Sequence, residues 1–177
     1  MNRRLAQGYP GEISATTVPP VIAVVALGAN LGDRAEAMRV AIEELGALPL
    51  VDDVRASATV ESVAVKPDGV DASAPAYLNA VALVTTRLAP TVLLEYLHAI
   101  EARHGRERRE RWGDRTLDLD LIAYGDVRSD DHTLLLPHPR AAERDFVLAP
   151  WLSVDPEAVL IGAGRVDALL ERLRSGQ

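Results

Sequence analysis

The sequence predicts an α+β fold: a ferredoxin-like α/β sandwich with a mainly antiparallel sheet and C-terminal additions. Three observations predict it. The residue periods run in the order strand, helix, strand, strand, helix, strand, which is the split βαβ arrangement. The first strand, Val21-Ile22-Ala23-Val24-Val25-Ala26-Leu27, is a continuous, largely β-branched run, the pattern of a central strand buried on both faces. The chain has 177 residues, 48% of them apolar, enough to bury one core. Residues 21–177 are therefore expected to form a single domain, with the helices over one face of the sheet. Residues 1–20 carry Gly8, Pro10, Gly11, Pro19 and Pro20 without an apolar period, and read as a flexible leader.

After Leu27 the stretch Gly28-Ala29-Asn30-Leu31-Gly32-Asp33 reads as a turn. A phosphate loop of the Walker type needs a lysine here, and Lys66 is the only lysine in the chain, so the turn is read as structural. Asp33 suits an N-cap with Glu36 as its capping-box partner, and Ala37, Val40, Ala41 and Leu45 keep a helical period to Gly46. Residues 50–63 alternate as a second strand, and the breaker-rich residues 65–75 form a loop. Residues 77–85 alternate as a third strand. Asn79 within it is either a backbone-bridging amide or a donor and acceptor for a ligand's ring edge. Pro90 suits a helix start, with Val92, Leu93, Tyr96, Leu97 and Ile100 on one face and Gly105 as the stop. A helix is also expected over residues 140–152, and a short amphipathic one over residues 165–174.

The stretch Arg111-Trp112-Gly113-Asp114-Arg115-Thr116-Leu117-Asp118-Leu119-Asp120-Leu121-Ile122 carries the chemistry. Its second half reads as a strand with Leu117, Leu119 and Leu121 on one side, and Asp118 and Asp120 on the other. Carboxylates at i and i+2 sit about 6 to 7 Å apart at their bases, within reach of one divalent cation. A solvated edge strand would show the same pattern. The flank favours the ion: six arginines lie between Arg103 and Arg115, although the whole chain has a net charge of -7. Such a local basic patch suits a small polyphosphate, whereas the overall charge opposes a nucleic-acid backbone. There is no cysteine, so thiolate chemistry is excluded. No apolar run approaches the roughly 20 residues of a membrane span. A cytoplasmic monomer, binding neither nucleic acid nor membrane, is the expectation.

The string R-W-G-x-R-T-L-D-L-D-L-I resembles the signature of the 6-hydroxymethyl-7,8-dihydropterin pyrophosphokinase family. The resemblance extends through Gly28 to Asp33, Tyr77-Leu78-Asn79-Ala80, Gly105-Arg106-Glu107-Arg108 and Leu136-Pro137-His138-Pro139-Arg140, in the family's order. It implies Mg2+-dependent transfer of pyrophosphate from ATP to the hydroxymethyl group of the pterin in folate biosynthesis, releasing AMP. Carried over residue by residue, it assigns Asp118 and Asp120 to the metal and Arg106 and Arg115 to catalysis. ATP falls to Leu94, His98, Glu101, Arg108, Trp112, Leu121, His138 and Arg144, and the pterin to Ser62, Val63, Val65, Tyr77, Asn79 and Phe146. Both substrates would lie on the sheet face away from the helices. Ser62-Val63 stands where many members have Thr-Pro, the loop to Tyr77 is longer, the connector from Gly105 to Trp112 is one residue shorter than in some, and Pro139 replaces an aromatic residue. Two rival readings are another metal-dependent phosphotransferase and an RNA-binding module. The single Phe and the net charge of -7 speak against the latter.

Overall fold

The structure is a computed structural model that describes residues 18–66, 69–71, 75–105 and 116–176. The chain begins with β1 (Val21–Ala29), α1 (Arg34–Gly46), β2 (Val51–Ala56) and β3 (Val60–Ser62). A hairpin of β4 (Ala64–Lys66) and β5 (Gly69–Asp71) follows, then β6 (Tyr77–Thr86), α2 (Pro90–Arg103) and β7 (Asp118–Tyr124). The C-terminal part adds β8 (Ser129–Asp131), β9 (Leu134–Leu136), a 3-10 turn at Ala141–Glu143 and α3 (Asp145–Val154). The short β10 (Val159–Leu160) and β11 (Gly164–Arg165) lead into α4 (Val166–Ser175). Among the described residues no helix is long and apolar enough to cross a membrane.

The main sheet runs β2-β6-β1-β7, with β3 pairing the first part of β6, and every pairing in it is antiparallel. The expected strand, helix, strand, strand, helix, strand order is thus present, with differences at its joints. The strand expected over residues 50–63 is two strands, β2 and β3. Ser57 interrupts it by pairing with Val81 through both its main chain (N–H to the Val81 carbonyl, 2.8 Å) and its hydroxyl, which accepts the Val81 N–H at 3.0 Å. The loop expected over residues 65–75 contains the β4–β5 hairpin, whose three-residue strands are too short for periodicity to reveal. β1 runs on through Gly28 and Ala29, because β6 continues beside both residues and β7 beside Gly28. The helix expected over residues 140–152 is divided at Arg144, which is extended (φ -113°, ψ 96°) between the 3-10 turn and α3.

Helices cover both faces of the sheet, which corrects the one-face expectation. Ala23, Val25 and Leu27 of β1 pack with Met38, Ala41 and Leu45 of α1 and with Leu93, Leu97 and Ile100 of α2. On the other face Val24, Ala26, Val81 and Leu83 pack with Val147, Leu148 and Trp151 of α3 and Val166, Leu169 and Leu170 of α4. The physical reason lies in β1 and β6 themselves. Both strands are apolar at odd and even positions alike, so each face needs a cover. Asp33 caps α1 as expected, accepting the Glu36 N–H at 3.0 Å. The reciprocal half of the capping box is absent, and the Glu36 carboxylate pairs with Arg39.

Candidate active site

The site grows from the register of three strands. Gly28 of β1 lies opposite Asp118 of β7 on one side and Asn79 of β6 on the other, while Ala26 lies opposite Asp120 and Val81. Val60 and Ser62 of β3 lie opposite Asn79 and Tyr77. Strand alternation then places Asp118, Asp120, Gly28, Asn79, Tyr77 and Ser62 on one face of the sheet. It is the face that α3 and α4 cover further along, at Val24, Val81 and Leu83. The polar group therefore occupies the end of that face, beside the start of α3.

Asn79 is buried, and its amide nitrogen donates to Ser62 Oγ at 2.9 Å. The amide oxygen lies over Gly28: a Cβ on Gly28 would come within 3.4 Å of Asn79 Oδ1 and 4.0 Å of Tyr77 Cδ1. Of the two sequence readings of Asn79, the nitrogen end follows the structural one and the oxygen end is turned towards the polar face. Arg34, at the start of α1, donates to the carbonyl of Ala76 at 2.6 Å and pairs with Glu61 at 3.1 Å. It thereby fixes the chain just before Tyr77.

On the metal-pair side, Arg144 donates to Asp120 Oδ2 at 2.7 Å, and its guanidinium stands 5.8 Å from the Phe146 ring centre. The extended backbone at Arg144 is what brings it there, with Phe146 in the first turn of α3. His138 is anchored by its own N–H, which donates to the Ile122 carbonyl at 2.8 Å on the outer edge of β7. Its Nδ1 accepts the Arg140 N–H at 3.2 Å, so in the neutral ring Nε2 carries the proton. Nε2 lies 4.0 Å from Asp120 Oδ2, too far for a direct hydrogen bond. Burial pushes the His138 pKa down, and Arg144 and Arg140 add to this against the opposite pull of Asp120 and Asp118. The imidazole is therefore held towards its neutral form.

Glu101, expected at the nucleotide, is buried on α2, and its Oε1 accepts the Leu119 N–H at 2.9 Å, behind the Asp pair. Leu121 points into the core shared with α1 and α2, Leu94 packs half-buried against that core, and His98 is exposed on α2. Val63 is exposed beyond β3. Arg106, Arg108, Trp112 and Arg115 lie outside the described residues, as does the side chain of Val65. The structure thus brings together Asp118, Asp120, His138, Arg144, Phe146, Asn79, Tyr77 and Ser62. Among the described residues, no group of three or more His, Asp or Glu side chains is gathered to hold a metal. A carboxylate pair still fits a hard cation that keeps waters and phosphate oxygens as its other ligands. Gly28 and Arg34 were not anticipated. Gly28 had a signal in the sequence, a glycine directly after a strand run, but Arg34 had none.

The family model for 7,8-dihydro-6-hydroxymethylpterin-pyrophosphokinase matches residues 24–156. The chain is 38% identical over 154 residues to the 2-amino-4-hydroxy-6-hydroxymethyldihydropteridine pyrophosphokinase of Methylorubrum extorquens, covering 87% of this chain and 95% of that protein. It is 40% identical over 137 residues to the enzyme of the same name from Synechocystis sp., covering 77% and 68% of the two. Among solved structures, wild-type HPPK-DHPS of Plasmodium falciparum superposes with a TM-score of 0.67 at 13% identity, over 91% of this chain and 42% of that longer one. At that identity the likeness is one of fold.

Proposed function

Because the chain belongs to the 7,8-dihydro-6-hydroxymethylpterin-pyrophosphokinase family, whose reaction is pyrophosphoryl transfer in folate synthesis, we propose that the polar end of its second sheet face is where that transfer occurs. The donor is ATP, the acceptor is the hydroxymethyl oxygen of 6-hydroxymethyl-7,8-dihydropterin, and AMP leaves as that oxygen attacks the β-phosphorus. The observation that carries this reading is the register that sets Asp118, Gly28 and Asn79 side by side, with Asp120, Arg144 and His138 at one end and Tyr77 and Ser62 at the other.

Asp118 and Asp120 would hold Mg2+, and their hard carboxylate oxygens suit it. When bound, the ion neutralises charge on the phosphates in transit. Arg144 stands against Asp120 and has further N–H donors for phosphate oxygens, arranged in the planar fork that matches them. His138 presents a protonated Nε2 as a neutral donor beside it. Arg106, Arg108 and Arg115, with Trp112, would complete the phosphate clamp from outside the described residues. Gly28 leaves a flat floor on which a planar ring can lie. The Asn79 oxygen over that floor can accept from a ring N–H or amino group, and Tyr77 and Phe146 offer ring faces. No covalent intermediate with the protein is needed. Positioning and preorganised charge supply the acceleration.

The test is incubation of the full chain with ATP, Mg2+ and the hydroxymethyl dihydropterin, reading AMP by chromatography. AMP should form in step with the pterin pyrophosphate and should stop when EDTA is added. No AMP from folded protein at millimolar substrates would overturn the reading, and ADP in its place would indicate a different phosphoryl transfer.

A further inference from the structure

β3 and β6 end their shared ladder at the pair Ser62 and Tyr77, with Glu61 opposite Leu78 one step further in. The chain leaves the sheet after Ser62, forms the β4–β5 hairpin and returns at Tyr77. Both ends of this excursion are held by one side chain. Arg34 Nη1 donates to the carbonyl of Ala76 at 2.6 Å, and Arg34 Nη2 donates to Glu61 Oε1 at 3.1 Å. Ala76 lies one residue beyond the ladder, so its carbonyl takes a donor from a side chain. Strand alternation turns Glu61 and Leu78 to the face opposite Ser62, Tyr77 and Asn79, and Leu78 packs there against the core shared with α1 and α2. The tie therefore sits behind the end of the site that Tyr77 and Ser62 form. Arg34 is also the first residue of α1, where a cation opposes the helix dipole and an acidic residue is favoured. What it holds accounts for a guanidinium at that position. Its planar fork serves two acceptors on separate segments, which the single ammonium of a lysine does not match.

We propose that Arg34 is a positioning residue for the pterin. By joining Glu61 to Ala76 at the start of α1, it fixes β3 against β6 where Ser62 and Tyr77 project to the other face. With that spacing it also sets the hydrogen bond of 2.9 Å from Asn79 Nδ2 to Ser62 Oγ, which leaves the Asn79 oxygen turned towards the polar face. A site whose binding-competent arrangement is only part of the population binds its ligand more weakly in proportion. Losing the tie therefore lowers pterin affinity, while Asp118, Asp120, Arg144 and His138 at the other end keep their arrangement. The inference rests on the proposed placement of the pterin against Gly28, Tyr77 and Asn79.

The experiment measures two affinities by calorimetry on the full chain and on Arg34→Met, Arg34→Lys, Glu61→Leu and Asn79→Ala. One is for 6-hydroxymethyl-7,8-dihydropterin in the presence of Mg2+ and a non-hydrolysable ATP analogue, and the other is for the analogue with Mg2+ alone. Arg34→Met keeps the aliphatic stem and removes both donors, so it should weaken pterin binding by about 10-fold, the scale of losing one hydrogen bond to a charged group. Lys can serve one acceptor at a time, and that variant should fall between Met and the parent. Glu61→Leu removes only the exposed half of the tie, since the Glu61 side chain is 63% exposed, and should weaken the pterin less than Arg34→Met does. The Arg34 and Glu61 variants should all bind the analogue as the parent does. In turnover, Arg34→Met should raise KM for the pterin and leave kcat at saturating pterin unchanged. A merely structural role would lower the melting temperature and leave both affinities of the folded protein parental. Parental pterin affinity in Arg34→Met, or in Arg34→Lys should the Met variant not fold, overturns the proposal, while a weakened Asn79→Ala leaves the pterin placement standing. Parental pterin affinity in Asn79→Ala overturns that placement and the proposal with it. An equal loss of analogue affinity in Arg34→Met would show that Arg34 supports the whole site, and would also overturn the proposal.

Discussion

Asp118 and Asp120 are two residues apart, yet their surroundings differ. Asp120 accepts from Arg144 at 2.7 Å, in a contact where the arginine side chain is 19% exposed, while Asp118 stands beside Gly28 in the sheet register. Both Asp118→Asn and Asp120→Asn should cut AMP formation by about 100-fold or more, the scale of losing one preorganised charge at a reacting centre. Near-parental rates at millimolar Mg2+ would remove both from the metal. Stability should distinguish them. A double-mutant cycle of Asp120→Ala with Arg144→Ala should give a coupling of about 1–2 kcal/mol in urea unfolding, and a coupling near zero would show the ion pair to be solvated. Gly28 admits a larger residue sterically, because its Cβ direction meets Asn79 Oδ1 only at 3.4 Å and β-branched residues suit strands. Gly28→Val should therefore fold, yet bind pterin about tenfold more weakly or worse, equivalent to about 1.4 kcal/mol. Calorimetric titration with pterin and a non-hydrolysable ATP analogue checks this, and parental affinity would place the ring elsewhere. The Asp pair was legible because i, i+2 alternation is local. Gly28 was read as turn punctuation because its neighbours Asp118 and Asn79 are 90 and 51 positions away, in register relations that no local period encodes.

At the scale of elements, α2 shows a signal that was present but read for a different purpose. Leu93, Leu97, Ile100 and Glu101 fall at i, i+4, i+7 and i+8, the spacing of a single buried stripe, so the helical period alone puts Glu101 inside. The end of α2 is tied to α1 through Glu44, whose carboxylate accepts from Arg103 Nε at 2.8 Å and meets His104 Nε2 at 2.9 Å. Burial pushes the Glu44 pKa up, but the hydrogen bonds with His104 and Arg103 outweigh it, and the carboxyl is held below its ordinary range. A carboxyl whose folded pKa is depressed binds fewer protons in the native than in the unfolded chain between the two values. Its stabilisation is complete above the ordinary glutamate value of about 4.3 and is lost as the pH falls through the lowered folded value. Glu44→Gln should therefore be less stable than the parent at neutral pH, with the gap closing below that range. Urea unfolding across the acid limb measures it, and a gap that stays constant with pH would mean that the Glu44 charge contributes nothing. The β4–β5 and β8–β9 hairpins were not legible, because strands of three residues offer no more than one alternation.

At the scale of the whole molecule, the sheet separates two cores, and the site lies where the second core ends. The sequence already marked β1 as buried on both faces, but the expected sandwich gave helices to one face only. The later helices count as additions in that topology, and their assignment to the second face depends on contacts between β1 or β6 and residues far along the chain. Trp151 is central to that second core: it is 3% exposed, and among the described residues its indole N–H has no hydrogen-bond partner. Two opposing effects meet there. The ring fills volume that nothing else would fill, so Trp151→Ala should cost about 3–5 kcal/mol. The unpartnered N–H carries a desolvation penalty of about 1–3 kcal/mol, which Trp151→Phe would remove while keeping most of the ring. The Phe variant should therefore stay within about 1 kcal/mol of the parent, against the large loss in Ala. Below its melting temperature each variant should keep the parental rate of AMP formation, because Arg144 precedes α3 and is held independently by Asp120. Urea unfolding of both variants, with AMP release measured at low temperature, tests the two statements together. A Phe variant as unstable as Ala would show that the indole N–H is satisfied after all, and a parallel loss of activity in both would show that α3 as a whole, through the core beneath it, sets the position of Arg144.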